Sequence, residues 1–398
     1  MLPTPLVSDA PPSHGLWRPA WFAALPRRLT GERAAAYLVL LSGFLVSRLL
    51  LAAVGWAALG TGGWPAAGDL IGLTLRWDAH WYLRLAAEGY SATEGAEHTG
   101  QTLYGFMPLY PLLIRAAVAV LGLSPAVTAV LLSNLFFLAA LVLVFEYARA
   151  LGVGARPATA AGLLICVAPQ SFVFSAPYSE SLFLLLSAGA MLALRRRTPW
   201  ISGLLAAALS ATRVNGVFFA VFAACHLLRR DGRNTLRVWR DPARYAPIVL
   251  APLGVFGFWW FCFLSTGDAF AQSSTLRAGW EWSAAWPWNN LGHRLLHGLP
   301  HERFWVGWSL LAFAASLLLI RQRRYEEFAL CACSFALSWS GTVVDSLVRH
   351  SVVMFPVFVA LAQATNRWPS LLALLGVGMA ALNGWLMSAW ALSAVFSL

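Results

Sequence analysis

Residues 36–58, AYLVLLSGFLVSRLLLAAVGWAA, make a long apolar run, and Leu75–Tyr90, LRWDAHWYLRLAAEGY, follows it closely. A membrane-crossing helix needs about 20 mostly apolar residues, so the first stretch reads as a span. The second gathers Arg76, Asp78, His80, Arg84 and Glu88 among aromatic side chains just beyond that span. Together they predict a membrane protein whose chemistry lies in the loop after its first crossing. Asp78 is the centre of that reading.

Composition agrees. The chain is 59% hydrophobic and only 11% charged, where a soluble domain carries roughly 25% charged residues. Its mean hydropathy is +0.66. The 20 Trp and 9 Tyr suit side chains that anchor at the headgroup level. The net charge of +11 comes from arginine alone, clustered in short loops between apolar runs. The bias of basic loops toward the cytoplasm explains that pattern and argues against a nucleic-acid partner. A chain without lysine suggests a GC-rich coding sequence and hence a bacterial plasma membrane. The five cysteines lie inside apolar runs with neither disulfide nor zinc spacing and read as buried thiols. Residues 1–34 carry no small-residue cleavage site after an apolar core. The first span is therefore expected to be an uncleaved anchor, with Arg18, Arg27, Arg28 and Arg33 holding a 1–35 tail in the cytoplasm.

Spans are expected at 36–58, 125–148, 157–175, 178–194, 246–264, 304–320, 327–345, 351–365 and 369–392. Two further stretches are ambiguous. The flanks of 199–228, Arg195–Arg197 and the six arginines between Arg229 and Arg244, both belong in the cytoplasm, so this stretch should enter and return. Arg213, Asn215 and Gly216 at its midpoint suit the tip of a re-entrant pair; one long tilted helix is the alternative. Residues 103–122, with Pro108 and Pro111 near the start, suit a half-helix that does not cross. The expectation is an all-α polytopic protein of about 9–11 transmembrane or re-entrant helices, forming one domain over 36–398. External loops at 59–102, 175–178, 265–303 and 346–350 would hold Asp78, Glu88, Glu180, Asp268, Glu281, Asp345, Arg349 and His350.

Read as a surface helix, 76–90 puts Arg76, His80 and Arg84 on one row and Asp78 and Tyr82 on another, with Gly89 as its cap. Asp78 in apolar surroundings is a candidate general base; an interfacial helix whose charges meet only headgroups is the alternative. Residues 176–181, APYSES, start a helix that Ser175 can cap, carrying Glu180 into the membrane edge beside Tyr178. The helix dipole alone would favour an acid there, but intramembrane carboxylates are costly and usually functional. Arg213 lies deeper, and Arg349 with His350 sits at an external edge where arginine is not expected; these donors suit a phosphate. Tyr104, Tyr110 and Arg115 are weaker candidates, and the Trp-rich run 279–290 suits either sugar stacking or the interface. No metal-ligand spacing is present, so no metal cofactor is expected, and a divalent ion at Asp78 and Glu88 stays an open alternative. Gly-rich nucleotide loops are absent, which disfavours a nucleotide-sugar donor.

Four segments, RWDAHWYLRLAAEGY (76–90), FMPLYPLLIR (106–115), FSAPYSESLF (174–183) and ATRVNG (211–216), with RHSVVMFPVF (349–358) as a looser fifth, appear in one order. In these the chain resembles the PIG-V-like mannosyltransferases, the family of the second mannosyltransferase of GPI-anchor synthesis, and their bacterial members above all. It departs at Met107 and His350, where an aromatic is the family pattern. The resemblance implies a GT-C glycosyltransferase fold with a catalytic carboxylate in the first external loop, here Asp78. It also implies inverting transfer of a hexose, typically mannose, from a polyprenyl-phosphate donor to a glycolipid or glycan acceptor outside the cytoplasm. In that scheme Arg213, Arg349 and His350 hold the donor phosphate, while His80, Arg84, Glu88, Tyr110, Tyr178, Glu180 and Asn215 surround the substrates. A flippase or transporter of lipid-linked sugars, which would also bury Arg and Glu, is the alternative; such proteins often carry internal repeats, and none is visible here.

Overall fold

A computed structural model describes residues 31–60, 62–63, 65–90, 100–232 and 241–397. Arg18, Arg27 and Arg28 of the tail, and Arg233, Arg237 and Arg240 of the basic loop, lie outside the described residues. In chain order the helices are α1 (Gly31–Ala58), α2 (Ala67–Gly72), α3 (Ala79–Glu88), α4 (Leu109–Leu121), α5 (Pro125–Ala150), α6 (Ala155–Val167), α7 (Glu180–Arg195), α8 (Pro199–Thr212) and α9 (Phe219–Asp231). They continue as α10 (Ala246–Leu250), α11 (Leu253–Thr266), α12 (Ala271–Trp280), α13 (Pro287–His297), α14 (Pro300–Arg321), α15 (Tyr325–Trp339), α16 (Leu347–Val352), α17 (Phe355–Thr365) and α18 (Pro369–Ala391). Among the described residues the sole β pairing is an isolated bridge between Ala284 and Gly341.

The first span shows why these segments are helical and how they sit. Its buried residues Ala36, Leu40, Phe44, Ser47, Leu51 and Gly55 recur every three or four positions and form one stripe. Leu38, Leu45, Leu49 and Leu50 on the other face are exposed and apolar, as a lipid-facing surface must be. Helix α5 starts on Ser124, whose hydroxyl accepts the Val127 N–H at 3.4 Å, with Pro125 in the first turn. At the centre of the bundle stands α7, apolar and buried on nearly every side between α5 and α8.

Among the described residues four helices, α1, α5, α14 and α18, are long and apolar enough to cross a bilayer, and a segment bent by 47° between α10 and α11 makes a fifth if it is one span. The other expected spans are shorter. The expected span 157–175 is a helix of 13 residues followed by a 3-10 turn, and the expected span 351–365 is split between α16 and α17. Interior helices need not match the bilayer, because their ends find backbone partners inside the protein. The 103–122 stretch is a 3-10 turn followed by the 13-residue α4, about 20 Å long at 1.5 Å per residue. The 199–228 stretch is a hairpin: α8 ends where Arg213 turns extended (φ −154°, ψ 143°), and α9 runs back after a 3-10 turn. Gly216 makes that turn possible, since a Cβ there would meet the Leu209 carbonyl carbon at 2.5 Å.

Polar residues collect at two ends of the bundle. At one, Glu326 pairs with Arg195 at 2.7 Å and with Arg229, so both ends of the hairpin meet there. Glu327 accepts from Tyr147 at 2.6 Å nearby, and Glu146 takes Arg196 at 2.9 Å and Arg33 at 3.3 Å. The opposite end carries Asp78.

Candidate active site

Helix α3 begins at Ala79, three residues later than the pattern suggests, because Trp77 adopts a left-handed φ of +51°. A bulky residue rarely takes that conformation, which costs on the order of 1–3 kcal/mol. Tyr178 holds the turn in place. Its hydroxyl accepts the Asp78 N–H at 3.0 Å and donates to the Arg76 carbonyl at 3.1 Å. The expected Arg76–His80–Arg84 row is thereby broken. Arg76 leaves the helix, and its Nη2 reaches the Ala391 carbonyl at the end of α18, 3.3 Å away. Gly89 does close α3, with φ +78° and its N–H on Leu85.

Asp78 occupies the N-cap position of α3, yet its side chain makes no cap bond. The carboxylate turns instead to Arg349, whose Nη1 lies 2.7 Å from Oδ2. Arg349 also donates to Ser346 Oγ at 2.6 Å and stands over the Tyr178 ring at 5.0 Å. Its Nε is 3.3 Å from Glu180, which takes Arg213 as well. Glu180 is the first residue of α7, where the helix dipole favours an acid, and its side chain is 1% exposed. The helix starts there and not at Ser175, because Ser175 donates to Asn134 at 2.8 Å. A chain of alternating charge, Asp78–Arg349–Glu180–Arg213, thus runs from the surface inward; Asp78 is its most accessible member, 26% exposed.

His350 on α16 has a shielded Nδ1 with no hydrogen-bond partner. Burial first, then Arg213 and Arg349, hold its imidazole well below the ordinary histidine range, so it is neutral. Burial raises the carboxyl of nearby Asp345, which Arg349 opposes.

The remaining candidates fall elsewhere. His80 is exposed on α3, and Arg84 pairs with Glu88 at 2.9 Å on the surface. Tyr110 is fully buried, its hydroxyl 2.6 Å from Ser133 Oγ, so it packs and does not face a cavity. Asn215 is half-buried in the turn after Arg213. Beside Asp78, Trp81 stacks on Phe106 with centroids 6.0 Å apart and meets Trp280 edge-on at 5.5 Å, forming an aromatic platform that draws on the Trp-rich run. Among the described residues no group of three or more His, Cys, Asp or Glu could hold a metal ion. Sequence reasoning overlooked Arg48 on α1, although an arginine inside a 23-residue apolar run is itself a signal.

With this geometry in view, the family model for mannosyltransferase (PIG-V) matches residues 66–241, which include Asp78, Tyr178, Glu180 and Arg213. The chain is PIG-V-like. The GPI alpha-1,6-mannosyltransferase 2 of Rattus norvegicus is 34% identical to it over 157 residues, 37% of this chain and 30% of the rat protein. The human protein of the same name is 32% identical over 157 residues, again 37% of this chain and 30% of the relative. The match thus spans under a third of those relatives' length. An oligosaccharyltransferase structure from Archaeoglobus fulgidus superposes on this PIG-V-like chain with a TM-score of 0.50 at 12% identity, covering 89% of this chain and 53% of that one. The fold is GT-C, and the chain is an integral membrane protein.

Proposed function

We propose that the protein is an inverting glycosyltransferase that moves a hexose, mannose by its relatives' names, from a polyprenyl-phosphate donor to a hydroxyl of a lipid-linked or cell-surface glycan. The observation that carries the reading is the Asp78–Arg349 pair, a partly exposed carboxylate backed by half-buried guanidinium groups. Asp78 takes the proton of the acceptor hydroxyl as that oxygen bonds to the anomeric carbon. The bond from that carbon to the phosphate oxygen breaks, and its electron pair leaves with the polyprenyl phosphate. The leaving group is weakly basic and needs no proton, but its charge needs stabilising, which Arg349 and Arg213 supply with neutral His350 beside them. As the phosphate draws Arg349 away, Asp78 loses its counter-ion and becomes the stronger base. Tyr178 and Glu180 hold these groups, and the Trp81–Phe106–Trp280 platform offers apolar faces for a sugar ring.

In this reading 36–398 works as one membrane domain, with 59–102 and 265–303 outside and the basic 1–35 tail inside a bacterial plasma membrane. Support for the sidedness comes from the basic residues at the Glu326 end, opposite Asp78. The family match supports transfer over transport of lipid-linked sugars. The test is transfer from polyprenyl-phosphate mannose to membrane glycolipid by purified protein in detergent. Transfer there supports an enzyme. Failure in detergent together with lipid-linked sugar movement in sealed vesicles overturns the proposal.

A further inference from the structure

Arg76 stands two residues before Asp78, and one hydroxyl fixes both. Tyr178 donates to the Arg76 carbonyl at 3.1 Å and accepts the Asp78 N–H at 3.0 Å. Two residues of chain reach at most about 7 Å, so the Arg76 side chain begins close to the carboxylate. Its guanidinium is poorly partnered. Arg349, Arg213 and Arg84 at the same end of the bundle each pair with a carboxylate. Half-buried Arg76 meets none among the described residues, and its hydrogen bonding there is one long contact, Nη2 to the Ala391 carbonyl at 3.3 Å. Nε is shielded and has no hydrogen-bond partner, and the indole N–H of Trp77 beside it has none either. Unpaired donors and an unpaired charge out of full contact with water are costly to keep. The carbonyl end of α18 offsets that with partial charge only.

The network inward of Asp78 is balanced, with Asp78 and Glu180 against Arg349 and Arg213. Arg76 therefore adds a positive charge that this network does not cancel. It also hangs on a different helix. Arg349 projects from α16 with its guanidinium 5.0 Å over the Tyr178 ring, whereas Arg76 is tied to the end of α18, where Trp390 packs 5.7 Å from the same ring. A phosphate taken by Arg349 and Arg213 leaves Arg76 for a second anion.

We propose that Arg76 binds a phosphate group on the acceptor and so selects anionic glycolipids over neutral ones. The proposal rests on the transfer reaction above and adds the class of acceptor to it. A guanidinium with N–H groups to spare suits a phosphate, which it can take through two parallel bonds. The acceptor hydroxyl must reach Asp78, whose negative charge repels an anionic molecule. A cation two residues away offsets that repulsion where it arises.

The test uses the purified full chain in detergent. Membrane glycolipid is split by anion exchange into an anionic and a neutral fraction, and sugar transfer to each is followed. Wild type is expected to prefer the anionic fraction. Arg76→Gln should raise the KM for that fraction at least about tenfold with the donor KM unchanged, and Arg76→Lys should recover most of the loss. The wild-type KM for the anionic fraction should also climb with salt, and that of Arg76→Gln less steeply. Transfer to the neutral fraction alone overturns the proposal. A KM raised equally for both fractions also overturns it and leaves Arg76 as a support for the end of α18. A binding arm needs no turnover: dodecyl phosphate is titrated into wild type and Arg76→Gln with polyprenyl phosphate saturating the donor site. Binding at least about tenfold weaker in folded Arg76→Gln supports the phosphate site even where transfer fails. Equal binding overturns it even where transfer succeeds.

Discussion

Replacing Asp78 with asparagine separates proton transfer from phosphate binding. Asp78 Oδ2 lies 2.7 Å from Arg349 Nη1, yet Arg349 keeps Ser346 at 2.6 Å, Glu180 at 3.3 Å and the Tyr178 ring at 5.0 Å. Asparagine has nearly the same shape, and its amide oxygen still accepts from Arg349, so the loop should keep its geometry. The loss is the proton acceptor, worth typically 10²–10⁴-fold, or about 2.7–5.4 kcal/mol at about 1.36 kcal/mol per factor of ten. One negative charge also leaves the network, so the arginines become better phosphate ligands. The assay is steady-state sugar transfer from polyprenyl-phosphate mannose in detergent, with donor binding measured separately. The expected result is a kcat lowered at least about a hundredfold with donor affinity unchanged or tighter. A variant that keeps more than about a tenth of the wild-type kcat refutes Asp78 as the base. One that loses donor affinity in step with turnover refutes the division of labour between Asp78 and the arginines.

Glu180→Gln strips the carboxylate shared by Arg213 and Arg349, and breaking such a buried pair costs about 3–5 kcal/mol. A clearly lowered thermal midpoint in detergent is expected; an unchanged one shows that the arginines find other partners. Tyr178→Phe removes the hydroxyl that bridges Arg76 and Asp78. With a left-handed turn costing on the order of 1–3 kcal/mol, kcat should fall roughly tenfold with helicity intact by circular dichroism; wild-type turnover dismisses the positioning role. His350 is held below the ordinary histidine range in the folded protein. As pH falls through about 6.5 the unfolded chain takes up a proton that the folded chain refuses, so stability should drop on acidification. His350→Gln should flatten that part of the stability–pH profile, and an unflattened profile assigns the acid sensitivity to other groups.

Much of the fold is legible locally. An apolar run of bilayer length is helical wherever it sits, because every backbone group must be satisfied within it, and α1, α5, α14 and α18 are such runs. The hairpin at Arg213 is legible for a related reason: basic flanks on both sides and a turn-forming Asn-Gly at the middle leave few other paths. Helix starts are less so. The Asp78 turn depends on Tyr178, a hundred residues further on, and Ser175 is drawn from its expected cap by Asn134. Tyr110 and Tyr178 look alike in composition, but one is sealed against Ser133 and the other supports the site.

By itself the sequence determined that the chain is a helical membrane protein with Asp78, Glu180, Arg213 and Arg349 as its conspicuous polar residues. Hydrophobic length, charge bias and the scarcity of polar groups in apolar surroundings act over a few neighbouring residues and can be read there. Only the tertiary structure decided that these four join in one alternating network, that Trp77 is bent left-handed to aim Asp78 at Arg349, and that Arg48 meets backbone carbonyls and hydroxyls and, among the described residues, no carboxylate. Those outcomes rest on contacts between segments tens to hundreds of residues apart. Which charge meets which is set by how the helices pack, and no local pattern encodes that.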